Sequence, residues 1–241
     1  MEDIIFGRNT IKEAIKNNEV INKVFVQKGI DSHDMTNLKN LIKEKRIIIQ
    51  DVEKEKLDKM CHGTHQGIAA QVSPYEYKDE DDLLEKGLNT ILILDEIQDP
   101  HNLGAMIRSA YAFGIDMIVI SQRRATGVTS TVVKVSSGMA MKVNIARVGN
   151  INTFIDKIKD LGFWVYGLDM DKKSTLLNTK FDGKLALVIG SEGGGISRLT
   201  KEKCDHIVSV PMEEGLDSLN ASVAASLGMF EIYRQRLVRS E

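Results

Sequence analysis

The sequence has little of what would tie it together covalently or hold it in a membrane. Only two cysteines, Cys61 and Cys204, are present in 241 residues, and they stand far apart, so no disulfide framework is available. No apolar run approaches the roughly 18 residues that a membrane span needs. A signal peptide is not legible either. Met1, Glu2 and Asp3 place two acids where bases belong, and no apolar core follows. A cytoplasmic protein without membrane contact is the expectation. An excess of either charge is also missing, with 32 basic and 34 acidic residues and a net charge of −2. Composition therefore neither implies nor excludes an RNA partner, and any basic face must be built by folding. What the sequence does have is ordinary for a soluble globular chain: 42% hydrophobic and 27% charged residues, enough to fill a core and to exclude disorder of the whole. Its length suits one or two domains.

Charge is distributed unevenly. Residues 76–86 hold six acids (Glu76, Asp79, Glu80, Asp81, Asp82, Glu85) against Lys78 and Lys86, with no apolar periodicity. This predicts a solvated acidic linker over 76–87, between a small α/β unit at 1–75 and a larger one at 88–241. In the first, helices are expected near 10–17 (Ile11, Ala14, Ile15 inward) and 35–45 (Leu38, Leu41, Ile42 inward), and strands at 24–26, 47–49 and 68–72. In the second, continuous apolar runs predict strands at 91–94, 117–120, 163–167, 185–189 and 207–210. Helices fall near 103–113, 129–136, 151–161, 197–203 and 219–238. Runs of that kind belong to a mostly parallel sheet buried on both faces, whose ligands bind beyond the carboxyl ends of the strands. The loops after Leu94, Ile189 and Val210 are where chemistry is expected.

The first of these holds Asp99-Pro100-His101-Asn102-Leu103-Gly104 and Arg108. Asn102 suits a helix cap, Gly104 permits close approach to the backbone, and Arg108 lies one turn beyond it. A capped helix with a surface arginine would account for these residues equally. The second, Gly190-Ser191-Glu192-Gly193-Gly194-Gly195, is neither a P-loop nor the dinucleotide fingerprint. Glu192 would repel a phosphate, so a cationic or hydroxyl-bearing ligand fits better than an anion. A flexible turn is the plainer account. In the third, Pro211-Met212 leads to Ser218-Leu219-Asn220 and a run of small residues. Ser218 is a candidate cap, and close helix packing explains the small residues but not Asn220.

In order along one chain, these loops resemble the three motifs of the SpoU–TrmH family of RNA ribose 2′-O-methyltransferases. Asn102, Gly104 and Arg108 match the first, Gly190, Glu192 and Gly195 the second, and Pro211, Met212 and residues 218–224 the third. Residues 7–14 and 64–70 are similar to the accessory RNA-binding domain of that family. Residues 99–105, with Phe230, Glu231, Arg234, Gln235 and Arg236, resemble the RlmB-like branch, which modifies a guanosine of large-subunit ribosomal RNA. Ala221, where valine is frequent, and the acidic residues 213–217 depart from the pattern.

The resemblance implies an α/β catalytic domain tied in a deep trefoil knot and a homodimer. It implies S-adenosylmethionine as methyl donor, held by backbone at Gly190, Val210 and Leu219, with Ile189, Met212, Ser218 and Asn220 lining the pocket. The turn of Ser136, Ser137 and Gly138 would close another side. Arg108 of one subunit would reach the other's cofactor, and Asn102, Glu192, Ser218 and Asn220 would position the reacting groups. No metal is implied, because the leaving thioether is neutral. An arginine guanidinium holds its proton too tightly to serve as a base, so a fork that holds phosphate and stabilises a developing alkoxide is the better role for Arg108. Arg8, Lys12 and Lys16 are candidates for phosphate contact. Transfer RNA is the alternative substrate, and a non-catalytic RNA-binding protein the alternative class. A nucleotide-dependent oxidoreductase would need a glycine fingerprint after Leu94, where Asp95-Glu96-Ile97-Gln98 stands. Cys61, His62 and His65 lack a partner cluster for zinc. Phe163, Trp164, Met139 and Met141 are expected in the core.

Overall fold

The computed structural model describes residues 4–16, 19–30, 32–61, 63–170, 174–213 and 218–240. Residues 1–3, Asn17, His62 and residues 214–217, read above from sequence, lie outside them. The chain divides into two units, 1–76 with 127–131, and 77–126 with 132–241.

The first unit runs β1 (Ile4–Phe6), α1 (Arg8–Lys16), β2 (Ile21–Gln27), α2 (His33–Glu44), β3 (Ile49–Val52), α3 (Lys54–Met60) and β4 (Ile68–Val72). Its sheet has the order β1-β4-β2-β3, with only the β2–β3 pair parallel. Because side chains alternate along a strand, Val24, Val26, Ile68 and Ala70 face α1 and α2. Phe25 and Ala69 turn the other way, onto Leu57 of α3. The strand expected at 47–49 begins instead at Ile49, where pairing with β2 starts. Its exposed Gln50 and Asp51 hide it from a search for apolar runs.

The remaining elements are α4 (Glu80–Leu84), β5 (Thr90–Leu94), α5 (Pro100–Ala112), β6 (Met117–Ser121), α6 (Ser130–Val135), β7 (Ile145–Val148), α7 (Ile151–Asp160), β8 (Trp164–Leu168), β9 (Leu185–Ile189), α8 (Arg198–Lys203), β10 (His206–Val208) and α9 (Ala221–Ser240). The strands form a parallel sheet in the order β10-β8-β9-β5-β6-β7. One face carries Ile91, Ile93, Val119, Val165, Ala186 and Val188 against Ile151, Phe154, Ile155 and Ile158 of α7. On the other lies α9, close enough that a side chain on Gly228 would meet Leu187 Cδ2 at 2.9 Å. The chain leaves β5 toward β6 on one side, while its other neighbour, β9, is reached only later. The crevice at this topological switch is where such sheets hold ligands.

The acidic stretch contains a short helix, α4, rather than irregular chain throughout. Asp79 caps α4 by accepting from the Asp81 and Asp82 amides at 2.9 and 3.2 Å. Leu83, 3% exposed, joins the core of the second unit, and the Lys78 amide donates to Ile145 O at 3.0 Å. Acids in the first turn complement the positive end of a helix, so what reads as a charge run is a helix start. Two core assignments also change. Trp164, at the start of β8 beside edge strand β10, is 52% exposed and packs on His206, whereas Phe163 is buried. Met141 is 57% exposed, and Ala140 fills the core at that turn.

Candidate active site

Asn220 is the cap of α9, the role proposed for Ser218. Its Oδ1 accepts from the Ser222 and Val223 amides at 2.9 and 3.3 Å and from Ser222 Oγ at 2.6 Å. That leaves Nδ2 facing away from the helix, where it donates to Asn102 Oδ1 at 3.1 Å and to Glu192 Oε1. One amide thus joins the loops after β5, β9 and β10. Asn102 is free for this bond because Asp99 caps α5, accepting from the His101 amide at 2.9 Å, with Pro100 in the first turn. Asp and Asn cap equally well, and Asn102, 7% exposed, lies inside the helix. The backbone at Gly104 is approached by a neighbouring helix: a Cβ there would stand 2.7 Å from Val135 Cβ. α5 and α9 are tied again where Ser109 Oγ meets Ser226 Oγ at 2.8 Å.

The glycine-rich loop is a closed hairpin. Ser191 and Gly195 exchange backbone hydrogen bonds of 2.9 and 3.0 Å. Gly193 and Gly195 take the left-handed conformation, at φ +75° and +61°, which other residues seldom adopt. A Cβ on Gly190 would fall 2.0 Å from the carbonyl carbon of Gly195. The hairpin, the end of β8 and the start of α9 enclose a cavity of about 460 Å³. Ile189, Gly190, Val210, Met212, Ser218, Leu219 and Asn220, picked out by sequence, all line it, as does Glu192. Asp169 and Met170 line it too and were missed. They follow a strand's carboxyl end, the signal that marked the other loops.

Gly138 is not among the residues lining the cavity. Its amide donates to Val133 O at 2.8 Å while that of Ser137, at φ +54°, donates to Lys134 O at 3.0 Å, the paired bonds that close the end of α6. Arg108 is exposed on α5 and has no hydrogen-bond or ion-pair partner among the described residues. In the first unit, Arg8 and Lys12 line a concavity with Asp34 and Gln66. Arg8 is already engaged, donating to Gln66 O at 3.3 Å and Ser32 Oγ at 3.2 Å, and Lys16 is paired with Glu13 at 2.8 Å. His65 is buried between Asp58, 2.9 Å from Nε2, and the Gly67 amide, 2.9 Å from Nδ1. Both ring nitrogens serve the local fold.

A cavity of this size, with glycine-bare and apolar walls and a few converging polar groups at the crest of a parallel sheet, defines an α/β protein that holds a small molecule. Comparison supplies the particular family. Residues 89–230 match the SpoU rRNA Methylase family, and residues 4–78 match the family described as RNA 2′-O ribose methyltransferase substrate binding. A Staphylococcus haemolyticus protein assigned to the TrmH family of tRNA/rRNA methyltransferases is 45% identical over 98% of this chain and 97% of its own. A Staphylococcus aureus protein of the same assignment is also 45% identical, over 98% of each chain. The fold is that of the SpoU methyltransferase AviRb of Streptomyces viridochromogenes, solved with AdoMet (TM-score 0.62, 22% identity, 98% of this chain and 90% of that one). It is also that of an AdoMet-bound rRNA methyltransferase from Sinorhizobium meliloti (TM-score 0.61, 19% identity, 97% and 87%). The chain belongs to the SpoU/TrmH family and is an RNA methyltransferase.

Proposed function

We propose that the protein methylates a ribose 2′-hydroxyl of RNA in the cytoplasm, on a guanosine of large-subunit ribosomal RNA, with S-adenosylmethionine in the cavity. The observation that carries this reading is the Asn220 amide, which lines the cavity with Glu192 and ties both to Asn102 of α5 behind them. The residues present suit the donor. Ile189, Met212 and Leu219 offer apolar walls to a purine, and the bare backbone at Gly190 leaves no side chain in the way. Backbone groups at Gly190, Val210 and Leu219 are the proposed grips. When bound, S-adenosylmethionine supplies a methyl group on a sulfonium, which departs as a neutral thioether.

The chain's own work is orientation and charge. Arg108 acts as a fork on the phosphate beside the reacting ribose and stabilises the oxygen as its proton leaves. Asn102, Glu192, Ser218 and Asn220 fix the walls against which ribose and donor meet. In this reading the active form is a homodimer, and Arg108 serves the partner's cavity. Val223, Leu227 and Phe230, each at least 40% exposed, form an apolar stripe on the helix that Asn220 caps. Tyr111, one turn beyond Arg108 on α5, is 47% exposed. Arg108 thus stands beside exposed apolar surface of the kind a second subunit covers. Threading of the C-terminal segment as the family's trefoil knot belongs to the same reading, as does target choice by the first unit through Arg8 and Lys12.

The relatives' assignment names both transfer and ribosomal RNA, so the test must separate them. Purified protein is given tritiated S-adenosylmethionine and total RNA from a strain lacking the gene, and label is mapped by nuclease digestion. Label in a 2′-O-methylguanosine of large-subunit RNA is expected. Label confined to transfer RNA would overturn the substrate while leaving the chemistry in place.

A further inference from the structure

Asp169 belongs to none of the family motifs, yet it lines the cavity from the end of β8. Its carboxylate is fixed on both sides, Oδ1 accepting from the Met170 amide at 2.6 Å and Oδ2 standing 3.1 Å from Lys201 Nζ of α8. The Asp169 side chain is 18% exposed and that of Lys201 40%. Both oxygens lie 3.6 Å from the position a Cβ on Gly195 would occupy, so the carboxylate rests against the hairpin. Glu192 of the same hairpin also lines the cavity, where it accepts from the neutral amide of Asn220. Among the described lining residues, Asp169 and Glu192 are the only acidic or basic side chains, and both are acids. Lys201 is outside the lining and offsets one of the two charges.

We infer that Asp169, balanced by Lys201, sets the charge of the cavity so that it holds a cationic ligand in preference to its uncharged counterpart. The inference rests on the reading that the cavity binds S-adenosylmethionine. That donor carries a sulfonium beside its zwitterionic amino acid, a net charge of +1, whereas the thioether left after transfer is neutral overall. The two are otherwise nearly the same shape. Apolar walls and backbone grips therefore cannot tell them apart, and a charged wall can. One charge at a few ångströms in a partly screened site changes the ratio of the two affinities roughly tenfold. Asp169 thereby favours exchange of spent product for fresh donor.

The test measures affinities and does not require turnover. Isothermal titration of the full chain with S-adenosylmethionine and with S-adenosylhomocysteine gives the ratio of the two dissociation constants. In Asp169→Asn the amide oxygen still faces Met170 but one negative charge is gone, and the preference for the sulfonium should fall about tenfold. Lys201→Gln leaves Asp169 unbalanced, and the preference should rise by several-fold, the opposite sign. If both variants shift the two ligands equally, Asp169 acts by shape and the inference is overturned while the cofactor reading stands. If the wild-type chain binds neither ligand, the cofactor reading fails and the inference with it. Should Asp169→Asn melt before titration, Lys201→Gln decides alone, an unchanged ratio overturning the inference.

Discussion

At the scale of single residues, Asn220 does two jobs that can be separated. As a cap it satisfies two amides of α9, a contribution of about 1 kcal/mol. As a donor it joins Asn102 to Glu192, which nothing else in the described contacts does. Asn220→Ser keeps an oxygen for the cap and removes the amide nitrogen. The thermal midpoint should stay near that of the wild type, while S-adenosylmethionine affinity and methyl transfer fall at least tenfold, since buried Asn102 loses its donor and exposed Glu192 is no longer held at the cavity. A serine variant with full transfer would show that the amide bridge is incidental. Arg108 is tested by a smaller change. Arg108→Lys keeps the charge and loses the planar pair of donors, so transfer should drop by one to two orders of magnitude with S-adenosylmethionine affinity unaltered. Near-normal turnover in that variant would refute the fork.

At the scale of elements, the hairpin and α9 carry the site. Gly190→Ala would push a methyl group into the Gly195 backbone, which has no rotamer to yield. Overpacking against backbone costs about 1–3 kcal/mol or more, so the variant should melt lower and bind S-adenosylmethionine poorly, read by calorimetry. Further along α9, hydrogen bonds from Arg234 hold the Glu231 carboxyl below its ordinary value of 4.5, against the upward push of burial and with help from Gln235. A depressed folded pKa stabilises the fold above the unfolded value, and that stability fades as pH falls through the depressed one. Glu231→Gln should therefore lower the melting temperature at pH 7, and by progressively less as pH falls below the ordinary value of 4.5. A loss that does not shrink with acidification would place the effect in packing.

Legibility followed the same physics at this scale. Continuous apolar runs marked β5, β6, β8 and β9, because these strands are buried on both faces. β7 carries Arg147, so no run betrays it, and Gln50 and Asp51 break the apolar run that marked β3 only up to Ile49. α4 hid within acids that are themselves its start. Asn102, Glu192 and Asn220 were found by resemblance, but which residue caps each helix was not. Asp99 and Asn102, or Ser218 and Asn220, are interchangeable as caps in sequence, and only burial of the helix body decides between them. Asp169 was missed since no motif includes it.

At the scale of the whole molecule, the question is whether one chain contains a complete site. Within a chain, Asn220 and Glu192 line the cavity and Asn220 is bonded to Asn102, whereas Arg108 is exposed without a partner among the described residues. If Arg108 completes the partner's site, two variants defective in different parts should restore each other. Arg108→Ala and Asn220→Ser, each inactive alone, are co-expressed with different tags, and the doubly tagged dimer is purified. Such a dimer has one site with both an intact cavity and an intact arginine, and one site with neither. It should show about half the transfer of the wild-type dimer, and an unselected mixture about a quarter, as random pairing in a two-fold assembly requires. Were Arg108 to serve its own chain, every site in the mixed dimer would lack one part and no activity would return. A chain that sediments as a monomer would yield no doubly tagged species at all, and would return Arg108 to its own cavity or to none.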